Sequence, residues 1–273
     1  MESLGIIAGS GVLPRLVAEA CAARGQGYLV VQFSGVELDW VTDHPVLQAS
    51  FEKPGKLFKG LKKAGVSTVT MGGAMGRPRL NPLKLDATGM RLAPVVMKAM
   101  KAGDNSTLKI VAALFEAEDF NVIGVHEALP TLLPEAGIPT ESQPSKEDLS
   151  DVERANEIVT ALGQVDVGQG VVVAQGICLG LESIQGTDAK LRFVAENPAR
   201  LPDKKGSKGV LLKLPKPGQD MRLDMPAIGP DTFDAVARAG LAGVAVQSGS
   251  TLILGREQTI ARANELGLFL WVR

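Results

Sequence analysis

Charged and amide side chains gather around one irregular loop in the second half of the chain. The apolar run 210–214 predicts a buried strand, and Pro215, Pro217 and Gly218 then turn the chain away from the sheet. Around this loop lie Lys213, Lys216, Gln219, Asp220, Arg222 and Asp224. Cations beside carboxylates suit a phosphorylated ligand whose metal ion is held by Asp oxygens. A solvated loop with surface ion pairs fits the same spacing equally well.

A glycine turn near the N-terminus is a second candidate for phosphate binding. Residues 4–8 predict a strand, Gly9, Ser10 and Gly11 predict a tight turn, and a helical pattern follows. The N-terminus of a helix offers backbone N–H groups and a positive dipole to phosphate. However, Pro14 stands where the dinucleotide fingerprint GxGxxG has its third glycine, so that fingerprint is absent. The turn is therefore either a phosphate contact or only a tight connection between strand and helix.

A second glycine-rich loop follows the predicted strand 68–71. Gly72 and Gly73 permit close backbone approach, and Arg77 and Arg79 could meet anionic oxygen. Because open α/β sheets bind ligands beyond the carboxyl ends of their strands, we interpret this loop as a ligand contact rather than as a plain surface loop. Methionines in and after it suit either a flexible apolar ligand or an ordinary core: Met71, Met75, Met90, Met97 and Met100.

Strands and helices alternate along the first half of the chain. Predicted strands at 28–33, 68–71 and 121–125 are separated by predicted helices at 56–64 and 108–117. Such alternation is typical of a doubly wound, Rossmann-like α/β sheet with right-handed crossovers.

The composition shifts between residues 134 and 146, where Pro134, Pro139 and Pro144 stand among polar residues. This stretch predicts an interdomain linker. We therefore expect two α/β domains, an N-terminal Rossmann-like one over 1–133 and a C-terminal one over 147–273, joined by a linker over 134–146.

The C-terminal domain is predicted to contain a hairpin, with strands at 170–175 and 177–182 and Gly176 at the turn. Asp188 precedes a helix that is predicted to begin at Ala189, and the commonest role of an aspartate at that position is the N-cap. An aspartate in an exposed turn can also bind a metal ion or water.

The composition excludes several classes of protein. With 29 Lys and Arg against 30 Asp and Glu, the formal net charge of −1 gives no broad field for binding nucleic acid. We expect neither a signal peptide nor a membrane span. Cys21 and Cys178 have no metal-binding spacing, and we expect both to be buried, reduced side chains of a cytoplasmic protein. Because only two histidines are present, any metal ion should be held by oxygen.

Motifs along the whole chain resemble one family. They are residues 4–14, 166–173, 186–189 and 213–229, and they run from the first strand into the second domain. On these motifs the chain resembles the UDP-2,3-diacylglucosamine pyrophosphatases of lipid A biosynthesis, a two-domain family once classed as of unknown function. Two positions depart from the family pattern: Ser10 stands where a glycine is frequent, and Lys190 where a methionine is common.

The resemblance implies both the chemistry and the residues that perform it. The family hydrolyses the pyrophosphate of UDP-2,3-diacylglucosamine to UMP and 2,3-diacylglucosamine 1-phosphate (lipid X), with Mg²⁺ or Mn²⁺, in a cleft between two α/β domains. The resemblance implies that Asp224 and Asp188 bind the metal ion or activate water, which makes the C-terminal domain catalytic. It also implies substrate contacts at Gly9, Ser10, Gly11, Gly72, Gly73, Arg77, Gln169, Thr187 and Lys213.

Two other functions fit parts of the sequence. A nucleotide-sugar oxidoreductase would use the first glycine turn, but Gln32, Phe33 and Ser34 stand where the acidic ribose partner should end the second strand. A noncatalytic nucleotide-lipid binding protein would keep the glycine turns without needing Asp224. Because the implied substrate is diacylated, we expect peripheral contact with the cytoplasmic face of the inner membrane. The sequence leaves open whether the chain is a monomer or a homodimer.

Overall fold

A computed structural model describes residues 3–76, 80–102, 104–198 and 201–273. The strands in these ranges are β1 (Ser3–Ala8), β2 (Tyr28–Phe33), β3 (Val46–Ala49), β4 (Val66–Gly72), β5 (Asn121–Ile123), β6 (Gly170–Ala174), β7 (Ile177–Leu181), β8 (Val210–Lys213), β9 (Ala227–Ile228), β10 (Gly243–Val246), β11 (Leu252–Ile253) and β12 (Phe269–Val272). The α-helices are α1 (Leu13–Ala23), α2 (Pro54–Lys63), α3 (Ala87–Ala102), α4 (Asp104–Glu116), α5 (Val125–Ala128), α6 (Lys146–Gln164), α7 (Gly186–Glu196), α8 (Pro230–Arg238) and α9 (Arg256–Glu265), with 3₁₀ turns at Val41–Asp43, Pro82–Lys84 and Pro130–Leu132. None of the described helices has the length and apolar character needed to span a bilayer.

The chain divides into two compact units. The first comprises Met1–Pro130 and Asp220–Asp224, and the second comprises Thr131–Gln219 and Met225–Arg273. The short segment Asp220–Asp224 thus groups with the first unit, although the second unit flanks it in sequence. Both units combine helices with a sheet, which confirms the predicted α/β fold class.

The first unit is built on a parallel sheet of five strands. Its strand order is β3-β2-β1-β4-β5, so the chain moves outward from β1 to one edge and then continues from β4 to the other. This is the doubly wound order expected of a Rossmann-like domain. The order reverses between β1 and β4, and open α/β sheets bind ligands at the carboxyl ends of the strands at such a point.

Apolar side chains of the helices hold this sheet in place. Leu57, Phe58 and Leu61 recur at helical spacing on α2 and share one buried cluster with Val31 of β2 and Phe115 of α4. The rings of Phe58 and Phe115 meet edge to face, with centroids 5.3 Å apart. This core fixes the strands whose carboxyl ends carry the two glycine loops.

The second unit contains a mixed sheet in the order β12-β10-β8-β6-β7. Strands β8, β10 and β12 are parallel, whereas β6 runs antiparallel to both β7 and β8. The predicted hairpin is confirmed, and its turn residues Gln175 and Gly176 both have positive φ (52° and 75°), as a tight two-residue turn requires. The buried carboxylate of Asp151 anchors this turn by accepting hydrogen bonds from their N–H groups at 2.9 and 2.7 Å.

Buried clusters cover both faces of the second sheet. Along β6, Val171 and Val173 join a cluster with α6, whereas Val172 joins another that includes Leu191 of α7 and Phe233 of α8. Every residue of β6 is therefore buried.

The structure corrects several local predictions. Helix α7 begins at Gly186, so Asp188 lies in its first turn and is not the N-cap. Cys178 is exposed rather than buried, because β7 is an edge strand. Asp224, in contrast, lies in a loop as predicted, shortly before β9. The sequence does not predict β3, which is short, or α3, which contains Pro94 in its interior.

Candidate active site

Three charged side chains are buried together at one end of the sheet in the second unit. Glu182 follows β7, Lys190 lies on α7 and Lys213 ends β8, and all three residues are less than a tenth exposed. Lys190 Nζ lies 3.5 Å from Glu182 Oε2, and the Thr187 hydroxyl donates a 2.6 Å hydrogen bond to the same oxygen. Lys213 Nζ donates to the carbonyl oxygen of Ala227 at 3.0 Å. We call Glu182, Thr187, Lys190 and Lys213 the strand-end cluster.

Two glycines make the space for the strand-end cluster. A Cβ atom on Gly170, the first residue of β6, would lie 2.4 Å from Lys190 Nζ and 2.6 Å from Glu182 Oε2. A Cβ atom on Gly180 would lie 3.2 Å from Lys190 Cγ, so the aliphatic stem of the lysine crosses this residue. Because Gly170 pairs with Lys213 between β6 and β8, the strand register places Lys213 beside the same position.

Burial and charge set the protonation of the strand-end cluster. Burial lowers the pKa of Lys190 to about 8, the Glu182 carboxylate opposes this effect, and the like charge of Lys213 adds to it. Burial alone would raise the pKa of Glu182, but the charges of Lys213 and Lys190 and the Thr187 hydrogen bond outweigh it, so this pKa lies below its ordinary value. The cluster thus contains two basic side chains and one acidic side chain. A buried excess of positive charge favours an anionic ligand.

Three of the predicted substrate contacts converge at this end of the sheet. Thr187 and Lys213 belong to the strand-end cluster, and Gln169 immediately precedes β6. The Gln169 carbonyl oxygen accepts the N–H of Leu214 at 2.9 Å, and its side-chain Oε1 lies 3.5 Å from Nε2 of Gln219. Residues from distant parts of the sequence thus share one location, while their contact with substrate stays a prediction.

Asp188 follows Thr187 but is exposed, in the first turn of α7. An acidic side chain there interacts favourably with the helix dipole. Asp188 and Asp224 fall in different units, and the described residues hold no group of three or more His, Cys, Asp or Glu that could bind a metal ion. Their role as metal ligands stays a prediction.

In the first unit, the two glycine loops lie side by side at the carboxyl ends of β1 and β4. The Gly9 N–H donates to the Gly72 carbonyl at 2.8 Å, and Ser10 and Ala74 exchange backbone hydrogen bonds of 2.8 and 2.9 Å. A Cβ atom on Gly9 would lie 2.5 Å from the Ala74 oxygen, and one on Gly73 would lie 2.5 Å from the Ser10 oxygen. Glycine is therefore required at both positions for the loops to pack together.

This pairing decides which part of the first turn could meet a phosphate. The N–H groups of Gly9 and Ser10 already donate within the loop pair, so a phosphate would need other donors. Gly11 is exposed, has a φ of 96° and faces open space, and it leads into α1, whose N-cap Val12 makes no side-chain hydrogen bond. The accessible donors are thus those that begin α1. Arg77, predicted as a substrate contact in the neighbouring loop, lies outside the described residues.

The segment Asp220–Asp224 is held within the first unit by Arg222. The guanidinium donates to both carboxylate oxygens of Asp220, at 3.1 and 2.8 Å, and to Glu116 at 2.9 Å. This hydrogen bonding keeps the pKa of Asp220 below its ordinary value. Leu223 is buried in the core of the first unit, and Asp224 at the end of the segment is partly exposed. The hydrogen bonds of Arg222 and the burial of Leu223 therefore anchor the segment immediately before Asp224.

Two family models together match nearly the whole chain. The model of the LpxI N-terminal domain matches residues 3–132, and that of the LpxI C-terminal domain matches residues 135–271. The chain belongs to the LpxI family. A relative, the UDP-2,3-diacylglucosamine pyrophosphatase LpxI of Caulobacter vibrioides, is 36% identical to it over 271 residues, which cover 99% of this chain and 97% of the relative.

Two solved structures have a weak likeness to this LpxI family member. CobK precorrin-6A reductase matches with a TM-score of 0.32 and 14% identity, covering 98% of this chain and 85% of that one. An isoflavone reductase matches with a TM-score of 0.31 and 15% identity, covering 100% of this chain and 78% of that one. Likeness of this degree supports no conclusion about fold or activity.

The sequence motifs do not single out Glu182, and they mark Lys190 only as a departure from the family pattern. The spacing of residues on α7 nevertheless indicates that Lys190 is buried. Thr187, Lys190, Leu191 and Val194 recur at the spacing of one helix face, and the last two are apolar and buried. A lysine within such a stripe must find a buried partner, since a charge is almost never enclosed alone.

Proposed function

We propose that this chain hydrolyses the pyrophosphate bond of UDP-2,3-diacylglucosamine, giving UMP and 2,3-diacylglucosamine 1-phosphate. The observation that carries the proposal is the similarity over 99% of the chain to the C. vibrioides protein named UDP-2,3-diacylglucosamine pyrophosphatase. The charge of the strand-end cluster supports it, because a diphosphate is the kind of anion that such a cluster would accept.

In this proposal Lys213 holds a phosphate oxygen, and Lys190 adds positive charge to the same cluster. Two ammonium groups face a single carboxylate in a buried environment, so a bound phosphate group would neutralise the excess charge. Because Lys213 is held by its hydrogen bond to the Ala227 carbonyl oxygen before substrate arrives, it would stabilise charge that develops on the departing phosphate with little reorganisation. Glu182 acts as a positioning residue, since it holds both Lys190 and Thr187.

Mg²⁺ and Mn²⁺ prefer carboxylate oxygen, so the metal ion implied by the family resemblance would be held by aspartate side chains. Asp224 is a partly exposed carboxylate that directly follows the segment residues Arg222 and Leu223, which are held by Asp220 and Glu116 and by the core of the first unit. We assign Asp224 as the main metal-binding carboxylate and the exposed Asp188 as the second. When bound, the metal ion would neutralise phosphate charge and lower the pKa of a water molecule.

The test compares Asp224→Ala with Asp188→Ala and Asp220→Ala at saturating Mn²⁺. We expect Asp224→Ala to lower the turnover number by at least about a hundredfold while substrate binding is largely retained, because its charge matters most in the transition state. Hydrolysis would be followed by mass spectrometry of UMP and lipid X, and binding by titration of intact substrate.

Asp220→Ala is the matched control, since it removes a carboxylate four residues away that pairs with Arg222. Near-normal turnover in Asp224→Ala would overturn the assignment of this residue. Failure of the wild-type protein to release UMP would overturn the proposed reaction and favour a noncatalytic nucleotide-lipid binding protein.

A further inference from the structure

An apolar and basic surface lies on the first unit, in the stretch of chain that follows the second glycine loop. Leu83 in the 3₁₀ turn Pro82–Lys84 is 95% exposed, and Met90 and Met97 on α3 are 61% and 53% exposed. Large apolar side chains are seldom exposed to this degree without a binding role when they are grouped. We call Leu83, Met90, Met97 and the basic residues beside them the α3 surface.

The α3 surface repeats one pattern three times. Leu83 precedes Lys84, Met90 precedes Arg91, and Met97 precedes Lys98, each pair seven residues after the last. Seven residues make almost two turns of a helix, so Met90 and Met97 lie on one face of α3 and their basic neighbours lie along its side. The opposite side of the helix carries Leu92 and Ala99 toward the interior.

A cavity of about 610 Å³ connects the turn with the helix. Most of its lining is apolar: Pro82, Leu85, Met90, Ala93, Pro94 and Met97, with Lys98 at the side. Leu83, next to Pro82 in the chain, does not line this cavity and is almost fully exposed.

The charge of the α3 surface is suited to an anionic medium. Lys84, Arg91 and Lys98 are exposed, and Arg91 Nη2 lies 3.9 Å from Glu118 Oε1. The acidic residue within this stretch, Asp86, is used internally, because it accepts the N–H groups of Gly89 at 2.6 Å and Lys56 at 3.2 Å. Basic groups flanking apolar ones match the headgroups and the acyl boundary of an anionic bilayer.

We propose that the α3 surface docks the protein on an anionic lipid bilayer, with Leu83, Met90 and Met97 entering the acyl boundary. The inference rests on the proposed function, because a diacylated substrate lies in a membrane. The apolar and the basic groups contribute together, since the strength of peripheral binding scales with the buried apolar area plus the electrostatic attraction to anionic lipids.

The test measures binding of the full chain to vesicles of phosphatidylcholine with or without phosphatidylglycerol, by co-sedimentation. Burying one leucine changes a partition coefficient by roughly tenfold to a hundredfold, so Leu83→Ser/Met90→Ser should weaken vesicle binding by at least about tenfold. Lys84→Gln/Lys98→Gln should weaken binding by roughly fivefold per lysine, and only to vesicles that contain phosphatidylglycerol. Because these side chains are exposed, the melting temperatures should equal that of the wild type.

Val165→Ser is the matched control, since Val165 is a 68% exposed apolar residue of the second unit. Wild-type binding by the Leu83→Ser/Met90→Ser variant, or an equal loss in the Val165→Ser control, would overturn the proposal.

Hydrolysis of substrate dispersed in detergent micelles is the second readout, and the Leu83→Ser/Met90→Ser variant should keep the wild-type KM and kcat there. A raised KM with unchanged vesicle binding would assign the α3 surface to substrate acyl chains and also overturn the proposal. The vesicle assay needs no turnover, so an inactive wild type would refute the proposed reaction without affecting this result.

Discussion

Replacement of Lys190 by methionine should change how the stability of the second unit depends on pH. Lys190 is buried against Glu182, and burial lowers its pKa to about 8 from an ordinary value of 10.5. Methionine has a similar length and no charge, so it should fill the space over Gly180 and Gly170 without a desolvation penalty.

The sign of the effect follows from the two pKa values of Lys190. Between pH 8 and pH 10.5 the unfolded chain binds a proton at this lysine that the folded chain has lost, so the free energy of unfolding rises with pH across this window. The difference between the two values corresponds to at most about 3 kcal/mol. Below pH 8 the wild type bears the full penalty, and Lys190→Met does not. We therefore expect the variant to be at least as stable as the wild type at pH 7, and its advantage to shrink as pH rises toward 10.

Tryptophan fluorescence can isolate the second unit in this experiment. The chain has two tryptophans, Trp40 in the first unit and Trp271 on β12 in the second. In a Trp40→Phe background, Trp271 alone reports urea unfolding at each pH. Unfolding curves of wild type and Lys190→Met would be compared from pH 7 to pH 10.

Glu182→Gln provides the contrasting variant. It leaves two buried ammonium groups without their carboxylate, and breaking a buried pair in this way costs about 3 to 5 kcal/mol. The expectation would be refuted if the difference in unfolding free energy between wild type and Lys190→Met stayed constant across the pH range. Equal destabilisation by Lys190→Met and Glu182→Gln would also refute it.

Two further predictions concern backbone geometry. Gly73→Ala should destabilise the first unit by about 3 kcal/mol or more, because its Cβ would meet the Ser10 carbonyl oxygen, whereas Gly11→Ala, in open space, should cost about 1 kcal/mol for its positive φ alone. Circular dichroism melting of both variants checks this order, and equal melting temperatures would contradict it. Asp151→Ala should lower the stability of the second unit by about 2 to 4 kcal/mol, since two turn N–H groups lose a charged acceptor, and Trp271 fluorescence in urea should record the loss. An unchanged midpoint would show that the turn stands without Asp151.

The local features of this protein follow from its sequence, because they depend on residues close together in the chain. The order of strands and helices predicts the doubly wound sheet, and the tight turns at Gly9–Gly11 and at Gly176 follow from glycine itself. Helix α3 is not predicted, because Gly89 and Pro94 interrupt its helical apolar pattern. In the fold, packing against α2 and α4 outweighs the weak helix propensity of these two residues.

The candidate site depends on contacts between distant residues, which no local pattern encodes. Sheet register brings Lys213 beside Gly170, and the packing of α7 then places Lys190 against Glu182. In the first unit, the sequence marks the glycines as able to approach a ligand, but the fold uses the N–H groups of Gly9 and Ser10 to join two loops. Residue type alone does not show whether a backbone N–H group already donates a hydrogen bond within the protein, because such hydrogen bonds form only when the strands β1 and β4 lie side by side.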